Sequence, residues 1–169
     1  MTAYFRRQLA DYVEYHRDPR NCAAHVFGIV SLFLAAILPL TLWPVSAFGG
    51  HTTFAVVLAL PVLIYWLALD AVVGLAIVVA AILLFAAAAV IVANVSVVGV
   101  WALSAVLAVL GVASQIVGHK LFERRKPSMA DHPTHFLLGP PFVMAKLLIA
   151  LGFRDDLAMI IGPAAEASS

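Results

Sequence analysis

The sequence predicts an all-α integral-membrane protein. It should be a four-helix transmembrane bundle forming one domain over residues 1–169, with an N-terminal amphipathic helix and a C-terminal interfacial or re-entrant helix. Three observations carry this prediction. The chain is 64% hydrophobic and only 11% charged, whereas a soluble domain carries about a quarter charged residues. Every Lys and Arg lies either before residue 21 (Arg6, Arg7, Arg17, Arg20) or after residue 119 (Lys120, Arg124, Arg125, Lys126, Lys146, Arg154), and the only formal charge between Asn21 and His119 is Asp70. At roughly 20 residues per crossing, the stretch between the basic flanks holds four spans with short turns, which return the chain to its starting side. Both flanks then share one face, assigned to the cytoplasm by the positive-inside rule; three spans would separate them.

The elements follow in order. Residues 2–17 place Phe5, Leu9, Tyr12 and His16 at spacings of four, three and four, the apolar face of a helix lying in the interface, with Tyr12 and Tyr15 as interfacial anchors. Asp18-Pro19 is an N-cap followed by proline at the first helical position. The first span, about 22–43, ends at Trp43-Pro44 and a loop through Gly49, Gly50 and His51. It follows a mixed-charge segment with Asp11, Glu14 and Asp18 and is long enough to span, so it is expected to be a permanent anchor. The second span covers about 54–69 with Pro61 inside it, and Asp70 and Gly74 mark a very short turn into the third, about 72–93. Asn94 and Ser96 mark the turn into the fourth, about 97–118. After it, the apolar segment 136–153 is interrupted by Pro140-Pro141 and carries Lys146, which favours an interfacial or re-entrant segment over a fifth span; a fifth span would also carry Arg154 to the wrong side. Residues 162–169 have the composition of a disordered tail.

The chemistry-bearing residues gather at the cytoplasmic ends. Gln115, His119 and Glu123 stand four apart and share one face of an α-helix, just before the basic run Arg124, Arg125 and Lys126. Asn21 and His25 are four apart at the mouth of the first span, and the four-span topology brings this pair and the row of three to the same membrane face. Of the six histidines only His51 lies across the membrane. Taken singly, each histidine is an interfacial polar residue with a hydrogen-bond partner; their convergence is what points to a site. Neutral imidazoles with a carboxylate and open positions suit non-haem Fe(II), and the same set holds zinc. Glu123 is either a ligand or the partner that orients His119. The basic run is a topology signal that also contacts lipid phosphates and can pair with a substrate carboxylate. The single Cys22 is a small apolar packing residue and excludes an intramolecular disulfide. Nucleic-acid binding is not expected, because the basic residues sit where topology already explains them.

YHRDPRNCAAH (Tyr15 to His25), QIVGHKLFERRKP (Gln115 to Pro127) and GPPFVMAKLLIALGF (Gly139 to Phe153) together resemble the Mpo-like family of small integral-membrane 2-hydroxy fatty acid dioxygenases. The resemblance implies an Fe(II)-dependent enzyme that uses O2 to cut the C1–C2 bond of a 2-hydroxy fatty acid, leaving a chain one carbon shorter. It implies His16, His25 and His119 as iron ligands, Glu123 as a further ligand or orienting partner, and Asn21 and Gln115 as polar groups lining the site. His132 and His135 stand where the family more usually has amides; they are weaker metal candidates and leave open a second metal or a changed ligand set. Membrane lipids are the surroundings, and the Ala/Val-rich composition favours a bacterial inner membrane over an endoplasmic reticulum. A zinc-dependent lipid hydrolase and a non-catalytic membrane protein are the alternatives.

Overall fold

The computed structural model describes residues 1–47, 49–124 and 133–162. The protein is mostly helical, and among the described residues three helical stretches are long and apolar enough to cross a membrane: Pro19–Thr41, Ala71–Asn94 and Val97–Glu123.

The first helix, α1 (Ala3–Val13), starts at Thr2, whose hydroxyl accepts from the Phe5 N–H, and buries Phe5, Leu9 and Tyr12. It ends before the expected residue 17. Asp18 must be extended to cap the next helix, and the ring of Pro19 disfavours a helical residue before it, so the chain leaves the helix early. α2 (Pro19–Thr41) then begins as the Asp18-Pro19 pair predicts, with the Asp18 carboxylate accepting from the Arg20 N–H at 2.7 Å.

The connection after α2 is not a plain loop. β1 (Pro44–Ala47) and β2 (Gly50–Thr53) pair antiparallel, with Val45 opposite Thr52 and Ser46 opposite His51, so the all-α prediction needs this small correction. Its sequence basis is β-branched Val45, Thr52 and Thr53 flanking Gly49, which adopts φ +77°. α3 (Phe54–Leu69) has 16 residues and runs unbroken through Pro61. Asp70 closes α3 and caps α4 (Ala71–Asn94), accepting from the N–H groups of Val72 and Val73 at 3.0 Å each. α5 (Val97–Val117) starts at Ser96, which caps Gly99, and passes into a π-helical turn over Gly118–Glu123 that ends at Arg124 with φ +52°.

Among the described elements, α2 and α5 are the pair that packs together most extensively. Glycines face each other across it, since a Cβ on Gly28 would meet Ser114 Oγ at 2.5 Å and one on Gly111 would meet Leu32. Ser104 and Ser114 donate across the pair to the carbonyls of Ala35 and Ala24. Small residues of this kind let backbones approach where lipid offers no hydrophobic drive to associate.

The segment expected at 136–153 is two elements. A 3-10 turn spans Pro133–Leu137, and α6 runs Gly139–Ala150 with Pro140 and Pro141 in its first turn, where proline starts a helix and does not interrupt it. A short helix, α7 (Asp155–Ile161), follows where no element was expected. Leu157 and Ile161 of α7 join Phe5, Leu9 and Tyr12 of α1 and Leu138, Phe142 and Ala145 in one core cluster; a second cluster around Leu38, Ala88 and Val100 fills the opposite half. Residues 163–169 of the expected tail lie outside the described residues.

Asp70 ties these parts together. Its buried carboxylate receives Arg154 in a two-pronged pair, Nη1 at 2.8 Å and Nη2 at 3.0 Å, and the Met1 amine at 3.3 Å. Burial alone would raise the Asp70 carboxyl, but Arg154 and the helix N–H groups outweigh it and hold it at about 2. The turn between α3 and α4 therefore lies beside Met1 and Arg154, which belong to the two flanks of the chain.

Candidate metal centre

Three histidines meet in the structure. His16 comes from the short connection after α1, His25 from the second turn of α2 and His119 from the π turn after α5. Their ring centroids stand 4.5 Å (His16–His25), 4.7 Å (His25–His119) and 4.9 Å (His16–His119) apart, each pair edge to face. One nitrogen from each lies within 4.8 Å of the others, and all three side chains are buried. They are close enough to hold one metal ion.

The hydrogen bonds define which nitrogens are available. His16 Nδ1 faces the Tyr12 carbonyl at 2.9 Å and His25 Nδ1 faces the Asn21 carbonyl at 3.0 Å. A carbonyl only accepts, so each Nδ1 carries the proton and each Nε2 keeps a lone pair. His16 Nε2 and His119 Nδ1 are buried with no hydrogen-bond partner. Buried polar atoms are costly without a partner, and a bound cation would satisfy these two nitrogens. Burial, then the neighbouring His25 and His119, lowers His16 to about 3 against the upward pull of the Tyr12 carbonyl, so it is neutral at physiological pH, as a ligand must be.

The row Gln115, His119, Glu123 is divided: Gln115 and His119 line one cavity, and Glu123 turns to the start of α2. A π turn carries more residues per turn than an α-helix, so the four-residue spacing drifts around the axis. Gln115 Nε2 approaches the His25 carbonyl at 3.5 Å, and His119 turns to the other imidazoles. Glu123 Oε1 accepts from the Asp18 backbone N–H at 2.8 Å and from Asn21 Nδ2 at 3.1 Å. All three side chains reach α2 or its cap. Gly118 makes the approach possible, since a Cβ there would run into Asn21 Oδ1.

Tyr12 belongs to the site and not to the interface. It is buried, its ring stacks on His16 at 4.0 Å and 9°, and burial pushes its phenol well above the ordinary value. Its position four residues before His16 was the available signal. His135 is also buried, edge-on to Tyr12 at 5.5 Å, but lies outside the group of three. Cys22 packs in the core as expected, yet its Sγ also receives Lys146 Nζ at 2.9 Å and donates to the His16 carbonyl, which accounts for a lysine inside an apolar helix. Arg124 is exposed, while Arg125, Lys126 and His132 lie outside the described residues. The imidazoles close one end of a cavity of about 550 Å³ that Tyr12, Gln115 and His135 also line and whose remaining walls are apolar, among them Ile29, Leu32, Phe33 and Val112.

Residues 2–151 match the family model described as 2-hydroxy-palmitic acid dioxygenase Mpo1-like. The chain belongs to this family. No curated protein and no solved structure matches it. The Mpo1-like match takes in all three histidines, Tyr12, Asn21, Gln115 and Glu123, and stops before Arg154 and α7. The family's description names a dioxygenase acting on a 2-hydroxy fatty acid.

Proposed function

We propose that this protein is an Fe(II)-dependent dioxygenase that cleaves the C1–C2 bond of 2-hydroxy fatty acids with O2, giving a chain one carbon shorter. The observation that carries the proposal is the trio of buried imidazoles, two of them with orphaned nitrogens, at the end of a largely apolar cavity. His16, His25 and His119 hold the ion. An Fe(II) bound there would supply O2 activation and a grip on the carboxylate and hydroxyl of the substrate. The chain's own residues do the rest. Tyr12 and Asn21 present backbone carbonyls that fix the tautomers of His16 and His25. Glu123 positions the π turn against α2 through Asp18 and Asn21, and Gln115 does the same one turn earlier. The apolar walls take the tail and keep water away from it. Arg124, Arg125 and Lys126 draw the substrate carboxylate to the membrane surface.

In the same reading α3 is a fourth, short crossing, both termini are cytoplasmic, and the centre lies at the cytoplasmic face of a bacterial inner membrane. A zinc-dependent lipid hydrolase is the second reading, favoured by a three-histidine set with Glu123 already engaged, which zinc also accepts. Anaerobic purification, elemental analysis and O2 uptake with 2-hydroxyhexadecanoic acid separate them. Iron with substrate-dependent O2 consumption is expected; zinc without it would overturn the dioxygenase. His25→Ala and His119→Ala should each lose the metal, and full retention in both would leave only a structural role for the histidines.

A further inference from the structure

A second apolar cavity, of about 260 Å³, lies beyond the first, with walls that include Val62, Trp66, Ile77 and Leu84 of α3 and α4. The two cavities share Ile29, Phe33 and Pro140. On α2, His25, Ile29 and Phe33 follow at intervals of four, so they line one face and step away from the imidazoles by about 6 Å each. Ile29 is seated against α6, its Cδ1 lying where a Cβ on Gly139 would reach it at 2.9 Å. The Phe33 ring packs against Trp66, centroids 6.1 Å apart, and the Trp66 indole is fixed by donating to the Leu137 carbonyl at 2.8 Å. Two bulky side chains, half-buried Ile29 and the more exposed Phe33, thus line both spaces.

We propose that Ile29 and Phe33 form the partition that sets how much of an acyl chain the site accepts. The inference rests on the fatty-acid reading above. An acid whose head lies at the imidazoles runs its tail along α2 and meets Phe33 after about 12 Å, a distance that only the first methylenes of a long chain fill. Removing the Phe33 ring joins the cavities and lets the tail continue between α3 and α4. Enlarging Ile29 closes the first cavity sooner. Selectivity by chain length then follows from apolar surface seated, at roughly fourfold in affinity per added methylene.

The test uses the full chain in lipid nanodiscs and 2-hydroxyhexadecanoic acid carrying a photoreactive diazirine at its tail end. In the wild type, labelling competed by the unlabelled acid should map to residues around the first cavity. In Phe33→Ala it should move to Val62, Ile77 and Leu84, and the kcat/KM ratio of longer over shorter acids should rise by roughly fourfold per newly seated methylene. Ile29→Phe should lower that ratio, and it keeps the inference testable if Phe33→Ala does not fold. Unchanged label positions and an unchanged ratio in both variants would overturn the partition and mean that the tail leaves to lipid past Val112 and Ile116. Absence of competed labelling in the wild type would instead overturn the fatty-acid reading, and the partition with it.

Discussion

Replacing Glu123 distinguishes a carboxylate that ligates from one that positions. Its Oε1 takes two donors, the Asp18 N–H at 2.8 Å and Asn21 Nδ2 at 3.1 Å, and so joins the turn carrying His119 to the start of the helix carrying His25. Glu123→Gln keeps an oxygen for both donors and removes the charge; Glu123→Ala removes both bonds. A hydrogen bond to a charged group contributes about 1.5–3 kcal/mol. Glu123 is only partly buried, so the lower end applies. The alanine variant should therefore lose about 3 kcal/mol and the glutamine variant about half of that. Loss of a group that orients a metal ligand weakens the metal by about 10–100-fold, so alanine should fall in that range and glutamine should stay within about tenfold of the wild type. Metal titration of the apoprotein together with thermal unfolding in detergent measures both quantities. If Glu123→Gln lost the metal as completely as His119→Ala does, Glu123 would be a ligand and this reasoning would be refuted.

Three further outcomes follow from the same contacts. Gly28→Ala places a Cβ 2.5 Å from Ser114 Oγ, 2.7 Å from Gln115 Nε2 and 3.0 Å from the Gly111 carbonyl oxygen, so both side chains must turn away from their bonds to α2 and the backbones must ease apart; a loss of about 1–3 kcal/mol and weaker metal binding are expected, and wild-type melting would show that the pair is not closely packed. Asp70→Asn keeps the helix cap but strips the partner from Arg154 and the Met1 amine, costing about 3 kcal/mol because Asp156 still engages Arg154; metal content should not change, and its loss would mean that this ion cluster also shapes the centre. His16 is lowered to about 3 from an ordinary 6.5, so between those values the unfolded chain binds a proton that the folded one excludes, and stability falls as pH falls through 6.5. Metal-free protein should melt earlier at about pH 5 than at about pH 7.5, with a shallower dependence in His16→Asn; equal slopes would place the sensitivity elsewhere.

The elements whose ends the sequence marks chemically were legible. Asp18-Pro19, Asp70 and Ser96 each offer an oxygen to the orphan N–H groups of a helix start, and the structure uses all three. Convergence of His25 and His119 followed from counting crossings, which needs only span length and charge. The inclusion of His16 came from the family motif, because the end of α1 depends on how Pro19 redirects the chain. The side-chain rotations within the site were not legible. Helices such as α4 are apolar on all sides, so periodicity does not say which face turns inward, and the spacing of four at Gln115, His119 and Glu123 presumes α-helical turns that the chain abandons at Gly118. Nor does local sequence announce that Asp70 and Arg154 will pair or that Lys146 will find Cys22, since both depend on tertiary approach.

The π turn reconciles these two halves. An unbroken α-helix would keep Gln115, His119 and Glu123 in one row and aim all three at one point. Widening the turn at Gly118, whose missing side chain admits Asn21, lets His119 face the other imidazoles while Glu123 swings to the start of α2. The same residue spacing thus yields one imidazole turned to the other two and held between two amide or carboxylate contacts to the helix that carries its partner His25. The departure from ideal helix geometry falls where it converts a row of polar groups into a cluster of three imidazoles with Glu123 bracing the turn that carries His119.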